Sequence, residues 1–200
     1  MVLIDPAFFL PYDQLDDESK ELYEALKKVD WSVKLVCPQG MEMSLTNTHI
    51  SVEHIARGRV HNNRIGRYLD WLYQKNLVGI GLQNVVIGAG FYFVGKKVRH
   101  VYYAGIDMSE FKQLFVEENN EIYVHCVHNY GETKMKFSDD ESMKFHEVLK
   151  CYQKMFEQFY YLSCYAERQG VKITNLSCNS YVDVFQKERL FLKEPRMTMD

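Results

Sequence analysis

The stretch SDDESMKFHEVLKCYQKMFEQFYYLSCYAERQG, residues 138–170, decides the fold class. Ser138 can cap a helix, Glu141 follows at the third helical position, and acidic residues fill the first turn, where they suit the helix dipole. Apolar side chains then recur at three- and four-residue spacings as far as Gly170, the pattern of an amphipathic helix. They include Val148, Tyr152, Met155, Phe156, Phe159 and Leu162. We predict one long helix, at about 139–169, as the central packing element.

A second amphipathic helix is predicted over Asp13 to Val29, near the N-terminus. Its leucines fall on one face, and four carboxylates occupy its first turns. The acidic start and the pair Lys27 and Lys28 at the end suit the helix dipole, so these charges need no ligand to explain them.

Strands are predicted from apolar runs bounded by turn residues. In the first half, Trp31–Cys37 and Met41–Thr46 form a hairpin through Pro38-Gln39-Gly40, and Leu77–Ile87, Gly90–Val94 and Val98–Ala104 are further antiparallel strands. Ser51–Arg57 predicts a helical turn, and a helix capped by Asn62 or Asn63 runs through Asn76.

In the second half, a short helix is predicted from Asp107 through Phe115, with Glu110 completing its capping signal. A hairpin joins Ile122–His128 to Glu132–Phe137 through Asn129-Tyr130-Gly131. One or two more strands are expected around Tyr181–Phe185 and Arg189–Leu192.

The expected fold class is therefore α+β. Mainly antiparallel sheets pack against the long helix in the C-terminal half and against the acidic amphipathic helix near the N-terminus. The chain of 200 residues is expected to form a single globular domain, 1–200, with a tail that frays from about Pro195. A parallel fold is the lesser alternative.

Composition bounds the protein class. Hydrophobic residues make up 46% of the chain and aromatic residues 14%, enough to bury a core, which excludes a wholly disordered chain. No apolar run approaches the roughly 18–20 residues of a membrane span, and the start lacks the basic and apolar regions of an export signal. The five cysteines contain no CxxC pair. We expect a soluble, non-secreted, intracellular protein of the cytoplasm or nucleus.

Charge is distributed unevenly along the chain. Residues 1–53 hold four Lys and ten acidic residues, residues 54–106 hold eight Lys and Arg but only one acid, Asp70, and residues 107–200 hold twelve bases and sixteen acids. The overall charge is −3, yet the block at 54–106 carries +7. An asymmetry of this kind indicates an anionic partner.

Aromatic residues are interleaved with the bases of this block. A positive groove lined with rings is the usual means of binding single-stranded nucleic acid, because phosphates meet the bases and nucleobases stack on the rings. The predicted phosphate-binding residues are Arg57, Arg59, Arg64, Arg67, Lys96, Lys97 and Arg99, and the predicted stacking residues are Tyr68, Trp71, Tyr92 and Tyr102. The leading hypothesis is a non-catalytic protein that binds single-stranded DNA or RNA.

One segment has a resemblance of its own. The passage from Ala104 to Leu114, AGIDMSEFKQL, resembles the strand-to-helix passage of the positive-cofactor type transcriptional coactivators. Those proteins bind single-stranded DNA as dimers on a curved sheet, so the resemblance implies the same partner. The resemblance covers eleven residues and does not assign the chain to that family.

Two other functions stay open. In the second, the chain is a regulatory or viral assembly module whose basic face binds an acidic protein. The acidic helix of a second copy is an alternative partner, which would make the protein a homo-oligomer. Third, His49, His54 and His61 with the neighbouring arginines could form the site of a phosphodiesterase or nuclease. Neither a nucleotide-binding glycine motif nor a set of zinc ligands is present, so the sequence predicts no catalytic residue, no metal site and no cofactor.

Overall fold

The computed structural model describes residues 9–41, 43, 45–56, 66–79, 84–128, 131–137 and 143–189. Its helices and strands, in chain order, are α1 (Asp17–Lys27), β1 (Val33–Pro38), β2 (Ile50–Ile55), α2 (Gly66–Gln74), α3 (Val85–Gly95), β3 (His100–Tyr103), β4 (Leu114–Val116), β5 (Ile122–His128), β6 (Gly131–Lys136), α4 (Phe145–Gln169), β7 (Lys172–Asn175) and β8 (Gln186–Lys187). The fold is mixed α and β, as predicted.

The chain divides into two compact units, Met1–Val98 and Arg99–Asp200. The first unit contains the elements from α1 to α3, and the second contains those from β3 to β8. The expectation of a single domain stays a prediction. No helix in the described ranges combines the length and the apolar character that crossing a membrane requires.

The core of the first unit lies between α1 and the sheet of β1 and β2. Asp16 caps α1, since its carboxylate accepts a 2.7 Å hydrogen bond from the Ser19 N–H. The buried side chains of Leu26, Leu35 and Cys37 form a cluster with partly buried apolar neighbours. The predicted acidic N-terminal helix is therefore present, and its apolar face is buried as its pattern indicates.

Strands β1 and β2 are parallel, with Val33 opposite Ile50. The predicted hairpin from Trp31 to Thr46 is therefore wrong, and so is the helical turn at Ser51–Arg57, because β2 occupies residues 50–55. The reason is a tertiary contact. Asn47 Nδ2 donates to the Leu26 and Val29 carbonyls, both at 2.9 Å, and so holds the connection at the end of α1.

A helix replaces two predicted strands. The expectation of strands is wrong at residues 85–87 and at Gly90–Val94, because α3 spans residues 85–95 and Asn84 Oδ1 accepts from the Val86 N–H at 2.7 Å. Residues 80–83 of the strand predicted at Leu77–Ile87 lie outside the described residues. One side of α3 holds its buried residues, Ile87, Gly88, Gly90 and Val94. The opposite side holds Val85 and Phe93, which are exposed but apolar, so the sequence of α3 has no polar face. A short apolar run of this kind does not distinguish a buried helix from a buried strand by its period.

Helix α2 begins, in the described residues, at Gly66 and runs to Gln74. It lies within the helix predicted to end at Asn76, whereas the proposed caps Asn62 and Asn63 lie outside the described residues. Asn76 has a left-handed φ of 56° and closes the segment with a hydrogen bond from its N–H to the Tyr73 carbonyl at 2.9 Å.

The second unit is organised around α4, the long helix predicted in the C-terminal half. Val148, Phe159 and Leu162 on α4 are fully buried, and the helix ends at the left-handed Gly170. It begins at Phe145, not at 139, with the Glu147 carboxylate accepting from the Lys144 N–H at 2.8 Å. The predicted cap at Ser138 lies outside the described residues.

Two small sheets complete the second unit. Strands β4, β5 and β6 are antiparallel and contain the predicted hairpin at 122–137, whereas β3, β7 and β8 are parallel. With β1 and β2 also parallel, a mainly antiparallel architecture is not confirmed. Parallel pairing requires long connections, and α4 lies in the connection between β3 and β7.

The remaining predicted elements are shifted or shortened. The helix expected from Asp107 through Phe115 is a four-residue 3-10 turn, Glu110–Gln113, followed by β4. The Asp107 carboxylate accepts from the Ser109 hydroxyl at 3.0 Å instead of capping a longer helix. The strand expected at Tyr181–Phe185 is replaced by β8 at 186–187. Residues 190–192 and the tail from Pro195 lie outside the described residues.

Candidate functional site

The structure distributes the predicted binding residues over both units. Arg57, Arg59 and Arg64 lie outside the described residues. Helix α2 holds Arg67, Tyr68 and Trp71, while Tyr92 lies on α3 and is followed by Lys96 and Lys97. Arg99 and Tyr102 belong to the second unit. The first unit thus contains most of the described residues of the predicted surface.

Two aromatic side chains lie side by side on α2. Tyr68 and Trp71 have 62% and 48% of their surface exposed, with ring centroids 6.1 Å apart and planes inclined by 21°. Their spacing of three residues places them on one helical face. Large aromatic side chains of a core are buried, so this exposed pair is available to a partner with flat apolar surfaces.

Lys75 extends this face and was not singled out from the sequence. It follows Trp71 by four residues, its N–H donates to the Trp71 carbonyl at 3.0 Å, and its side chain is exposed. Among the described residues, no carboxylate pairs with Lys75. The four-residue spacing is the signal that could have identified it, since residues at i and i+4 are neighbours on a helix.

Tyr92 differs from the exposed pair. It is half-buried, and its hydroxyl donates a 2.9 Å hydrogen bond to Glu53 Oε2. Burial, reinforced by this carboxylate, raises the pKa of Tyr92 to about 12. The hydroxyl therefore keeps its proton at neutral pH and holds α3 against β2, whereas a stacking residue needs an open ring face.

Lys96 forms an ion pair with Glu53 Oε1, and Lys34 lies 3.3 Å from Oε2 of the same carboxylate. Hydrogen bonding to Lys96 is the main cause that lowers the pKa of Glu53. The three side chains carry a net charge of +1, so Glu53 neutralises part of the positive charge predicted here. Lys96 also lies over the Tyr92 ring, 5.3 Å from its centroid.

Lys97 is exposed and has a left-handed backbone, with φ of 54°. It pairs with no carboxylate in the described part of the chain. Of the two lysines predicted at this turn, Lys97 retains its full charge for a partner and Lys96 shares its charge with Glu53.

In the second unit, Tyr102 is 58% exposed and stacks on His100, with centroids 3.9 Å apart. His100 Nε2 lies 2.9 Å from Thr174 Oγ1 on the neighbouring strand β7. Arg99 precedes β3 and is exposed. These residues form a small aromatic and basic surface on β3.

The histidine cluster is described only in part. His49 and His54 are exposed in the first unit, and His61 lies outside the described residues. Within the ranges that the structure describes, no three His, Cys, Asp or Glu side chains are grouped so as to hold a metal ion. The described residues thus add no geometry for a catalytic centre to the pattern in the sequence.

No protein-family model, no curated protein and no solved structure matches this chain.

Proposed function

We propose that the chain binds single-stranded nucleic acid, with nucleobases stacking on the exposed face of α2. The observation that carries this proposal is the pair Tyr68 and Trp71, exposed and side by side on one helical face. Every nucleobase has a flat π-face, so such a pair accepts successive bases without demanding a sequence.

Positive charge accompanies the pair. Lys75 follows it as an exposed lysine without a carboxylate partner among the described residues, and Arg67 lies in the first turn of α2. Arg57, Arg59 and Arg64 precede α2 in the sequence. A strand whose bases stack on the rings would place its phosphates within the field of the Lys75 side chain, which supports binding that weakens with salt.

The test is a titration of labelled single-stranded DNA, single-stranded RNA and duplex DNA with the purified protein at two salt concentrations, read by fluorescence anisotropy. We expect binding to both single strands, weaker binding to the duplex, and a steep loss of affinity with salt. Equal affinity for the duplex would contradict the stacking role, and no binding to any of the three would overturn the proposal.

A protein partner is the second candidate. Exposed Tyr and Trp side chains are also the usual anchors of protein interfaces, and the ion pairs of Glu53 show that part of the basic block is neutralised within the first unit. An assembly module predicts an apparent mass that grows with protein concentration and does not respond to oligonucleotide. Sedimentation of the same samples distinguishes nucleic-acid binding from protein assembly. Gel analysis of the oligonucleotides detects cleavage, which the third function, a phosphodiesterase or nuclease, predicts.

A further inference from the structure

The solvent-exposed side of α4 carries an apolar stripe. Phe145, Leu149 and Tyr160 are 39%, 47% and 52% exposed, and Phe156 is half-buried. These four residues follow one another at spacings of four, seven and four, so they lie along one face of the helix. Val148 and the other buried residues of α4 lie on a different face, which packs in the core of the second unit. The stripe is thus additional to the face that builds the core.

Half-buried aromatic side chains make the stripe continuous and widen it. Tyr152 lies on the helical turns between Leu149 and Phe156. The Phe111 ring meets the rings of Tyr152 and Phe156 edge to face, at 6.1 Å and 6.0 Å between centroids. Tyr181 lies 5.0 Å from Phe111 and is 37% exposed. Contiguous apolar patches of this kind mark interaction sites.

Two opposite charges lie beside the stripe. Lys150 and Glu157 are both exposed on α4. They are seven residues apart, so they share a face and are separated by about two helical turns. Among the described residues, neither has an oppositely charged partner, and Glu157 accepts only a 2.9 Å hydrogen bond from the neutral amide of Gln153. Both charges are therefore available to a partner that binds along the stripe.

The two charges are arranged so that α4 complements a second copy of itself. A dimer with two-fold symmetry brings residue i of one copy to residue j of the other, and residue j to residue i. With two α4 helices antiparallel and the symmetry axis beside Gln153, Lys150 of each copy lies opposite Glu157 of the other. A parallel pair would instead set Lys150 against Lys150 and Glu157 against Glu157, which repulsion between like charges disfavours.

The apolar stripe has the same symmetry. In the antiparallel arrangement, Phe145 of one copy lies opposite Tyr160 of the other, and Leu149 lies opposite Phe156. The midpoint of both apolar pairs is one residue, about 1.5 Å of helix, from the midpoint of the charged pair. One register therefore buries the stripe and pairs the charges, and this coincidence favours a second copy over an unrelated protein.

We propose that this face of α4 binds a second copy of the chain in an antiparallel, two-fold symmetric helix pair. The interaction lies outside the basic block and does not depend on the proposed function. The stripe from Phe145 to Tyr160 spans about 24 Å of helix. One helix face of that length buries less surface than an interface of standard size, so we expect a weak dimer with a dissociation constant in the micromolar range.

Sedimentation velocity of the full chain at concentrations from roughly 1 to 100 μM tests the proposal. We expect the average mass to rise from that of one chain toward that of two and then to stop, because a two-fold interface is saturated in the dimer. A monomer at every concentration would overturn the proposal, and so would growth beyond the dimer.

Charge reversal tests the antiparallel register. Lys150→Glu and Glu157→Lys should each weaken dimerisation about tenfold, because symmetry turns two ion pairs into two like-charge contacts. The double variant exchanges the charges and should restore the dimer, and a mixture of the two single variants should form a heterodimer. Glu118→Lys, on an exposed loop, is the matched control and should leave dimerisation unchanged. A double variant as weak as the single variants would overturn the register.

Leu149→Ser tests the apolar stripe. Symmetry uses Leu149 twice, so we expect dimerisation to weaken at least about tenfold, whereas its exposure predicts an unchanged circular dichroism spectrum. An undiminished dimer in the folded variant would overturn the proposal. Assembly through the basic face would persist in Lys150→Glu, so sedimentation of that variant separates the two kinds of association. Oligonucleotide binding by the monomeric variant reports on the proposed function alone.

Discussion

The Tyr92 hydroxyl donates a 2.9 Å hydrogen bond to Glu53 Oε2 and so joins helix α3 to strand β2. The same carboxylate pairs with Lys96, four residues after Tyr92. Glu53 stands outside the basic block recognised from the sequence, yet it neutralises one of the block's lysines. A positive segment of sequence is therefore not the same as a positive surface, and α2 becomes the better candidate for contact with a strand.

Trp71→Ala should weaken the binding of a single-stranded oligonucleotide by about 5- to 150-fold, the range of one lost base–aromatic stack at about 1–3 kcal/mol. Trp31→Ala is the matched control, because Trp31 is 63% exposed in the same unit but has no place in the proposed interface. Anisotropy titrations of the two variants make the comparison. An equal loss in both would argue against a specific role for Trp71.

The two tryptophans also allow a direct spectroscopic test. In a Trp31→Phe background Trp71 is the remaining tryptophan. Stacking of a nucleobase on its indole should quench its fluorescence, and the quenching should saturate together with the anisotropy. Binding without any change in Trp71 emission would place the strand elsewhere on the protein.

Lys75→Met should reduce the salt dependence of oligonucleotide binding. Each phosphate contact to a single strand contributes about 0.7 to the slope of log K against log salt, so the slope should fall in magnitude by about that amount. Lys28→Met, at the exposed end of α1, provides the control. The measurement is a set of titrations at four or more salt concentrations. An unchanged slope for Lys75→Met would remove this lysine from the interface.

Asn47→Ala should destabilise the first unit by about 1–3 kcal/mol, because the Leu26 and Val29 carbonyls lose their side-chain donor. Urea denaturation measures the change in the free energy of unfolding. Asn119→Ala, which removes hydrogen bonds at an exposed turn, should cost less. A smaller loss at Asn47 than at Asn119 would contradict the role of Asn47 in setting the parallel pairing of β1 and β2.

The pH dependence of stability should report on Glu53. Its pKa is lowered by Lys96, so the unfolded chain binds a proton at higher pH than the folded chain does. The stabilisation is present above the ordinary glutamate pKa of about 4.3 and is lost as the pH falls through the lowered folded value. As the pH falls from 6 into the acid range, the Glu53→Gln variant should therefore lose less free energy of unfolding than the unsubstituted protein does. The difference between the two losses should be about 1 kcal/mol or less. Urea unfolding at a series of pH values measures this difference. Parallel plots of the free energy of unfolding against pH for the two proteins would contradict the ion pair between Glu53 and Lys96.

Asn84→Ala should destabilise the chain by about 1 kcal/mol, since Asn84 supplies the side-chain cap of α3. Asn84→Ser should retain most of that stability, because serine caps a helix equally well. Thermal unfolding followed by circular dichroism compares the two variants. Equal losses would indicate that capping is not what stabilises this helix.

Sequence patterns predicted the elements whose determinants are local. Helices α1 and α4 have clear apolar stripes and polar faces, and Asn129 and Gly131 in the sequence between the two apolar runs predicted the hairpin of β5 and β6. Helix α3 was misread because its run of Val, Ile and Gly has no polar face. For the candidate site, the sequence singled out Tyr68 and Trp71 as stacking residues, whereas nothing local connects Glu53 with Lys96, 43 positions later.

The sequence by itself determined the mixed α and β class, the two amphipathic helices, the hairpin and the basic, aromatic character of residues 54–106. Each of these depends on residues a few positions apart, and the period of a helix or the chemistry of a turn makes them readable. Only the tertiary structure decided the parallel pairing of β1 with β2 and of β3 with β7, the helical state of α3, and which cations are neutralised. Those outcomes depend on contacts between residues distant in the chain, such as Asn47 with Leu26 and Glu53 with Lys96, and no short-range pattern encodes them.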